Sequence, residues 1–234
     1  MKRILEVCTG SLTSVKAAVE GGAERIELCS ALSLDGLTPS IGLLKTVRDL
    51  YPTLTIHVLI RPRESHFVYT SEEVRVMERD IHAALPYADG IVVGALTPQG
   101  DIDLTAMKYL KAAAEEKPVT FHRAFDLCRE PLVAMEQIIA LGCHRILTSG
   151  QQPLAELGID LLRRLRDLAD DRIIIMPGGG VNAINARLIV DQVGTSEIHG
   201  SCSAGKGITD AEIVRQVIAN LIDDQQLSSA ARPG

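Results

Sequence analysis

The sequence predicts a single-domain α/β fold, a (β/α)8 TIM-type barrel, and three observations carry that prediction. Short β-branched runs alternate with longer segments of 3.6-residue periodicity, and the pair repeats eight times. The 234 residues lie close to the roughly 250 that eight such units typically occupy. No Pro/Ser-rich linker and no shift in composition divides the chain. An open doubly wound sheet is the alternative, but it calls for a glycine fingerprint after the first strand that this sequence lacks.

The expected strands are Arg3–Cys8, Arg25–Cys29, Thr55–Ile60, Gly90–Gly94, Val119–His122, Arg145–Thr148, Ile173–Met176 and Glu197–His199. Helical patterns fill the intervals. Thr70-Ser71-Glu72-Glu73 reads as a capping box that opens a helix through Leu85. Pro39, Pro131 and Pro153 sit where a first helical turn tolerates a missing N–H. Gly142 and Gly194 stand just past helices, where a left-handed residue is wanted. The last helix is expected from about Thr209 to Gln226. That makes residues 1–226 one barrel domain and 227–234 a polar tail.

Composition narrows the function. The chain is 46% hydrophobic and 23% charged, enough apolar mass for a full core. Its 30 acidic residues against 24 Lys and Arg give a net charge of −6, with no basic cluster to neutralise phosphates, so nucleic acid is not an expected partner. No stretch approaches the roughly 20 apolar residues of a membrane helix. Glu6 interrupts the start before a signal-peptide core can form. The five cysteines are widely spaced, odd in number and without a C-x-x-C pair, which fits reduced thiols. A cytoplasmic location is expected.

Strand alternation then places polar residues inside the barrel. Each barrel strand turns one face to the helices and the other to the lumen. Glu6 and Cys8 share a face against Leu5 and Val7, and Glu27 and Cys29 share one against Ile26 and Leu28. His57, Leu59 and Arg61, Thr120 and His122, and Glu197 and His199 follow the same rule. The apolar sets must meet the helices, so the polar sets point inward. The result is a cup lined by Glu6, Glu27, Arg61, His122 and His199, with Arg63, Arg123 and Asp126 on the loops above. Buried ionisable groups are costly unless paired or used. A structural ion-pair layer would satisfy that rule. So would a site where Glu or His moves protons and arginines hold an anion.

Two glycine-bearing loops favour an anion at the mouth. Gly178-Gly179-Gly180 follows strand seven and Gly200-Ser201 follows strand eight, the loops where this fold often binds phosphate. Ser149, after strand six, adds a hydroxyl beside them. Simple turn chemistry would also call for those glycines.

No zinc or calcium motif is present. Strands eight, one and two are neighbours in a barrel, however, so Cys202, Cys8 and Cys29 can converge at one mouth. Soft sulfur ligands there suit Cu(I), although free cysteines are also common small core residues. Cys128 and Cys143 are expected to fill space, and no organic cofactor is evident.

Seven motifs in order carry a resemblance. They are Glu27-Leu28-Cys29, Gly36-Leu37-Thr38-Pro39-Ser40, Ile60-Arg61-Pro62-Arg63, Thr120-Phe121-His122-Arg123-Ala124-Phe125-Asp126, Leu147-Thr148-Ser149-Gly150-Gln151, Pro177-Gly178-Gly179-Gly180-Val181 and Glu197-Ile198-His199. Over about residues 2 to 205 the chain resembles the CutC copper homeostasis family. The resemblance implies a TIM-type barrel, a cytoplasmic, self-associating protein with a role in copper homeostasis, and Cu(I) on Cys8 and Cys29, to which Cys202 adds a third candidate ligand. Two functions are therefore expected from the sequence. One is Cu(I) binding. The other is an enzyme acting on a small anionic or phosphorylated metabolite, with His122 and Glu6 or Glu27 exchanging protons and Arg61, Arg63 and Arg123 neutralising charge.

Overall fold

The computed structural model describes residues 2–205 and 207–222. Eight parallel strands alternate with eight helices: β1 (Ile4–Thr9), α1 (Leu12–Glu20), β2 (Arg25–Leu28), α2 (Ile41–Leu50), β3 (Thr55–Leu59), α3 (Ser71–Ala84), β4 (Gly90–Val93) and α4 (Leu104–Ala113) form the first half. The second half comprises β5 (Val119–Phe121), α5 (Pro131–Ala140), β6 (Arg145–Thr148), α6 (Ile159–Ala169), β7 (Ile174–Pro177), α7 (Ala186–Val193), β8 (Glu197–Gly200) and α8 (Ala211–Leu221). The sheet order runs β7-β6-β5-β4-β3-β2-β1-β8, and a parallel bridge between Gly178 and His199 joins its two ends. The expected barrel is what the chain forms.

Strand faces divide as alternation requires. Val7, Ile26, Leu28, Ile56, Ile91, Val119 and Phe121 are fully buried against the helices. The helices answer with apolar stripes at three- and four-residue spacing, such as Leu162, Leu165 and Ala169 on α6 and Val214, Val217 and Leu221 on α8. Each fully buried Val, Leu, Ile or Phe contributes about 1.5–3 kcal/mol.

Local signals set the helix ends. Thr70 and Glu73 form the capping box, and Pro131 opens α5. Pro39 and Pro153 fall elsewhere than expected. Pro39 precedes the N-cap Ser40, and Pro153 precedes a short 3-10 turn, Ala155–Gly158. In both cases the following residues start the helix, so proline shapes the approach rather than the first turn. Gly142 (φ +75°) and Gly194 (φ +74°) adopt the left-handed conformation just past α5 and α7. The last helix, expected to run from about Thr209 to Gln226, spans Ala211–Leu221 and stops at Ile222, whose backbone is extended (ψ +127°). The expected tail at 227–234 lies outside the described residues.

Candidate functional site

The lumen holds a polar network at the strand starts and, above it, a small apolar cluster of Cys8, Cys29, Leu59 and Val92. At the strand starts, Arg145 donates to Glu197 through Nε (2.7 Å) and Nη2 (3.1 Å), and Arg25 Nη2 also donates to Glu197. One level higher, Arg25 Nε lies 2.8 Å from Glu6 Oε2. His57 Nδ1 lies 2.8 Å from the same oxygen, and His199 Nδ1 donates to Glu6 Oε1 at 3.0 Å. Burial would raise the Glu6 carboxyl, but His57, His199 and Arg25 together hold it well below the usual carboxylate range. Glu6 is fully buried and fully engaged, so its carboxylate organises the lumen rather than facing a ligand.

The strands leave room for these histidines. Gly90 on β4 is the register partner of His57, and a Cβ there would meet His57 Cδ2 at 2.6 Å. A Cβ on Gly94 would likewise meet His122 Nδ1 at 2.7 Å. Glycine stands at both positions because an imidazole from the adjoining strand occupies the space.

Toward the mouth, Cys8 Sγ lies 3.8 Å from Cys29 Sγ and 3.6 Å from Glu27 Oε1. Cys8, Glu27 and His199 bring one sulfur, one carboxylate oxygen and one ring nitrogen within 4.8 Å of one another, a group that could hold a metal ion. The hydrogen bond with Cys29, burial and the Glu27 charge push the Cys8 thiol well above its ordinary range. Burial also raises the Glu27 carboxyl, a shift that His199 opposes and Glu6 reinforces. His199 is raised in turn: burial lowers it, but Glu27 and Glu6 outweigh that.

Above this group opens a cavity of about 480 Å³. Cys8, Glu27, Asp35, Arg61, His122, Arg123, Asp126 and His199 contribute its polar wall, with Gly179, Gly180 and Ser201 on the side of the last two strands. His122 Nδ1 accepts the Ala124 N–H at 3.1 Å, which places the ring proton on Nε2. Burial and the nearby Arg61 charge push His122 down to about 3, so the ring is neutral at pH 7. It presents an N–H donor to the cavity, not a base. Its Nε2 and the Glu27 Oε2 are both buried, with no hydrogen-bond partner within the described structure.

Several expected site residues have other work. Arg61 reaches the cavity, but its guanidinium donates to the carbonyls of Leu34 (2.8 Å), Gly36 (2.9 Å) and Ser65 (3.0 Å), and lies 4.9 Å from the Phe67 ring centre. It clamps two loops. Asp126 accepts from Arg123 Nε (2.8 Å), the Ser149 and Gln151 backbone N–H groups and the Thr148 hydroxyl, so it braces the loop after β6. Ser149 and Gly178 are buried behind the cavity wall, where the Ser149 hydroxyl accepts from Arg123 Nη2 at 2.9 Å. Arg63 departs from the expectation of anion binding. It pairs with Glu73, donates to the carbonyls of His66 and Val68, and does not line the cavity. Cys202 does not join the other thiols. It sits in the main apolar core, whereas Cys8 and Cys29 share a separate cluster inside the barrel, and burial pushes the Cys202 thiol up to about 12. Arg25 and Arg145 were not singled out in the sequence. Counting back by two from Glu27 and Leu147 would have put both on the lumen face.

The CutC family model matches residues 3–204. The chain belongs to the CutC family. A CutC protein of Bacteroides thetaiotaomicron is 51% identical over 197 residues, covering 84% of this chain and 79% of that protein. The human relative, named a copper homeostasis protein CutC homolog, is 45% identical over 202 residues, 86% of this chain and 73% of its own. The crystal structure of CutC from Streptococcus agalactiae superimposes with a TM-score of 0.82 at 34% identity, covering 85% of this chain and 98% of that one. Phosphoribosylanthranilate isomerase of Thermotoga maritima shares the fold alone, with a TM-score of 0.63 at 16% identity over 94% of this chain and 98% of that one. Among the described residues of this CutC family member, no helix is long and apolar enough to cross a membrane.

Proposed function

We propose that this protein binds Cu(I) at the barrel mouth through Cys8 and Cys29, and that it serves copper homeostasis as a self-associating protein of a reducing cytoplasm. The observation that carries this reading is the pair of sulfurs 3.8 Å apart, of which Cys8 also groups with Glu27 and His199. Thiolates select soft ions such as Cu(I), and imidazole is an acceptable further ligand. His199 takes the place that Cys202 was expected to fill. Loading requires the thiols to lose their protons; Glu27 Oε1 lies 3.6 Å from Cys8 Sγ as an acceptor, while the Cys29 thiol donates to the Thr9 carbonyl at 3.5 Å. The name of the human relative supports the role. The test is an anaerobic titration of the reduced protein with Cu(I) against a chromophoric chelator, beside the Cys8→Ser/Cys29→Ser variant. Tight one-to-one binding that disappears in the variant supports the reading. Weak binding, or binding unchanged in the variant, overturns it.

A second reading rests on a different observation. A cavity of about 480 Å³ with the unpartnered Glu27 Oε2 and His122 Nε2 in its wall has no use in a two-thiolate carrier. It suits an enzyme acting on a small anionic or phosphorylated metabolite, in which Glu27 holds the mobile proton and His122 donates a hydrogen bond. His122, first expected to exchange protons, and Glu6, bound on all sides, have no such part in this reading.

A further inference from the structure

The cavity distributes its polar groups unevenly. Arg123 stands at one side of the mouth. Its Nε is committed to Asp126 and its Nη2 to Ser149, so two bonds fix the guanidinium plane. Its Nη1 makes no hydrogen bond in the described structure and lies over Gly179, where a Cβ would come within 3.3 Å of it. Gly179 (φ +112°) and Gly180 (φ +71°) hold conformations that favour glycine, and with Ser201 they form the adjoining wall. The His122 Nε2 donor, the Glu27 Oε2 and the Arg61 Nε are each on a residue more than nine-tenths buried and are unpartnered, and Asp35 and Asp126, the partner of Arg123, also line the cavity. Leu32, Leu59, Phe67, Leu147 and Val181 supply apolar surface around them.

We propose that this cavity is a two-ended site for a small oxyanion-bearing hydroxy or oxo compound of sugar-phosphate size. The oxyanion sits against Arg123 Nη1 and the Gly179–Gly180 and Ser201 wall. An oxygen of the ligand's body accepts from His122 Nε2, and a neighbouring hydroxyl donates to Glu27 Oε2. A buried donor and a buried acceptor left open cost stability, and a ligand that satisfies both recovers that cost on binding. A guanidinium already fixed by two bonds gives up little entropy when it takes an anion. The proposal rests on the second reading and adds to it which end of the cavity takes the charge. Cys8, Glu27 and His199 belong to both this cavity and the thiol group.

Three probes test it by calorimetry on the metal-free, reduced protein: inorganic phosphate, ribose 5-phosphate and ribose. The protein's histidine side chains, labelled with nitrogen-15, are observed in parallel. Ribose 5-phosphate is expected to bind more tightly than either fragment and to shift the His122 Nε2 resonance. Arg123→Gln should weaken ribose 5-phosphate and phosphate by roughly tenfold or more, the loss of a charge-assisted hydrogen bond, and leave ribose unchanged. His122→Asn keeps an acceptor for the Ala124 N–H but has no group at the Nε2 position. It should weaken ribose 5-phosphate and spare inorganic phosphate. If none of the probes binds, the second reading itself falls. If the phosphates bind with equal affinity to the wild type and Arg123→Gln, a cavity site for anions survives and the assignment of its charged end is overturned.

Discussion

Glu6 on β1 and Arg25 on β2 are register partners, and their side chains meet 2.8 Å apart inside the barrel. The contact is one link of a buried chain that runs from Arg145 through Glu197 and Arg25 to Glu6, where His57 and His199 close it. Every ion in the chain has a counter-ion, which is the condition under which charges persist in a lumen.

Removing one carboxylate should therefore cost far more than a surface pair would. Glu6→Gln keeps the shape but leaves Arg25 with Glu197 alone and takes a partner from each histidine. The expected loss is about 3–5 kcal/mol in chemical denaturation, the range for breaking one side of a buried pair. A loss under about 1 kcal/mol would mean that the network is not coupled as the distances state.

His122 sets part of the acid limb of stability. Its folded value of about 3 lies below the ordinary value of 6.5, so between these limits the unfolded chain takes up a proton that the native ring refuses. Stability attributable to His122 is complete above pH 6.5 and falls as pH drops toward 3, at about 1.4 kcal/mol per pH unit where the difference is one proton. His199 acts in the opposite sense. Its raised value gives a contribution that is present at low pH and lost as pH rises through it. Both variant and wild type carry His199 and Glu27, so the difference isolates His122. The denaturation free energy of His122→Asn should decline less steeply than that of the wild type from pH 6.5 to about 4. Parallel curves would refute the neutral, unprotonated ring.

The barrel and the inward-facing polar set were legible because both rest on periodicity. Alternation in β1 alone assigns Leu5 and Val7 to the helices and Glu6 and Cys8 to the lumen, and the structure agrees. What a polar residue does inside the lumen was not legible, because that depends on partners far away in sequence. Glu6 meets His199 across 193 positions, and Arg25 meets Glu197 across 172. The fate of Arg63 turned on its neighbour Glu73, a residue the sequence offered only as a helix cap. Cys202 illustrates a third limit. It stands two residues beyond β8, but its φ of +48° and its packing in the apolar core separate it from the thiol pair, and strand adjacency carries no information on either.

Copper binding should release protons. The Cys8 thiol is held well above its ordinary range, so it is protonated at neutral pH and must give up that proton to act as a ligand. Apparent Cu(I) affinity is expected to rise by about tenfold per pH unit for each proton released, measured by chelator competition between pH 6 and 8. Cys202→Ser should give the same curve as the wild type. A pH-independent affinity would argue that Cu(I) sits elsewhere, and a loss in Cys202→Ser would restore the ligand the structure sets aside.

Arg61 supplies a test of how the thiols are covered. Its three carbonyl bonds tie the segment at Leu34–Gly36 to the loop at Ser65, and a Cβ on Gly36 would lie 3.7 Å from Cys29 Sγ, so the clamped segment is the lid over that sulfur. In Arg61→Ala the carbonyls lose a charged donor and the cover loses its anchor. Stability should fall by about 2–4 kcal/mol, and Cys8 and Cys29 should react faster with a thiol-specific reagent. Subtracting the rate of the Cys8→Ser/Cys29→Ser background removes the contribution of Cys128, Cys143 and Cys202. Arg61→Lys restores a cation without the planar fork that reaches three carbonyls, so it should recover only part of the protection. Unchanged stability and unchanged thiol rates in Arg61→Ala would return this guanidinium to the ligand-binding role that the sequence first suggested.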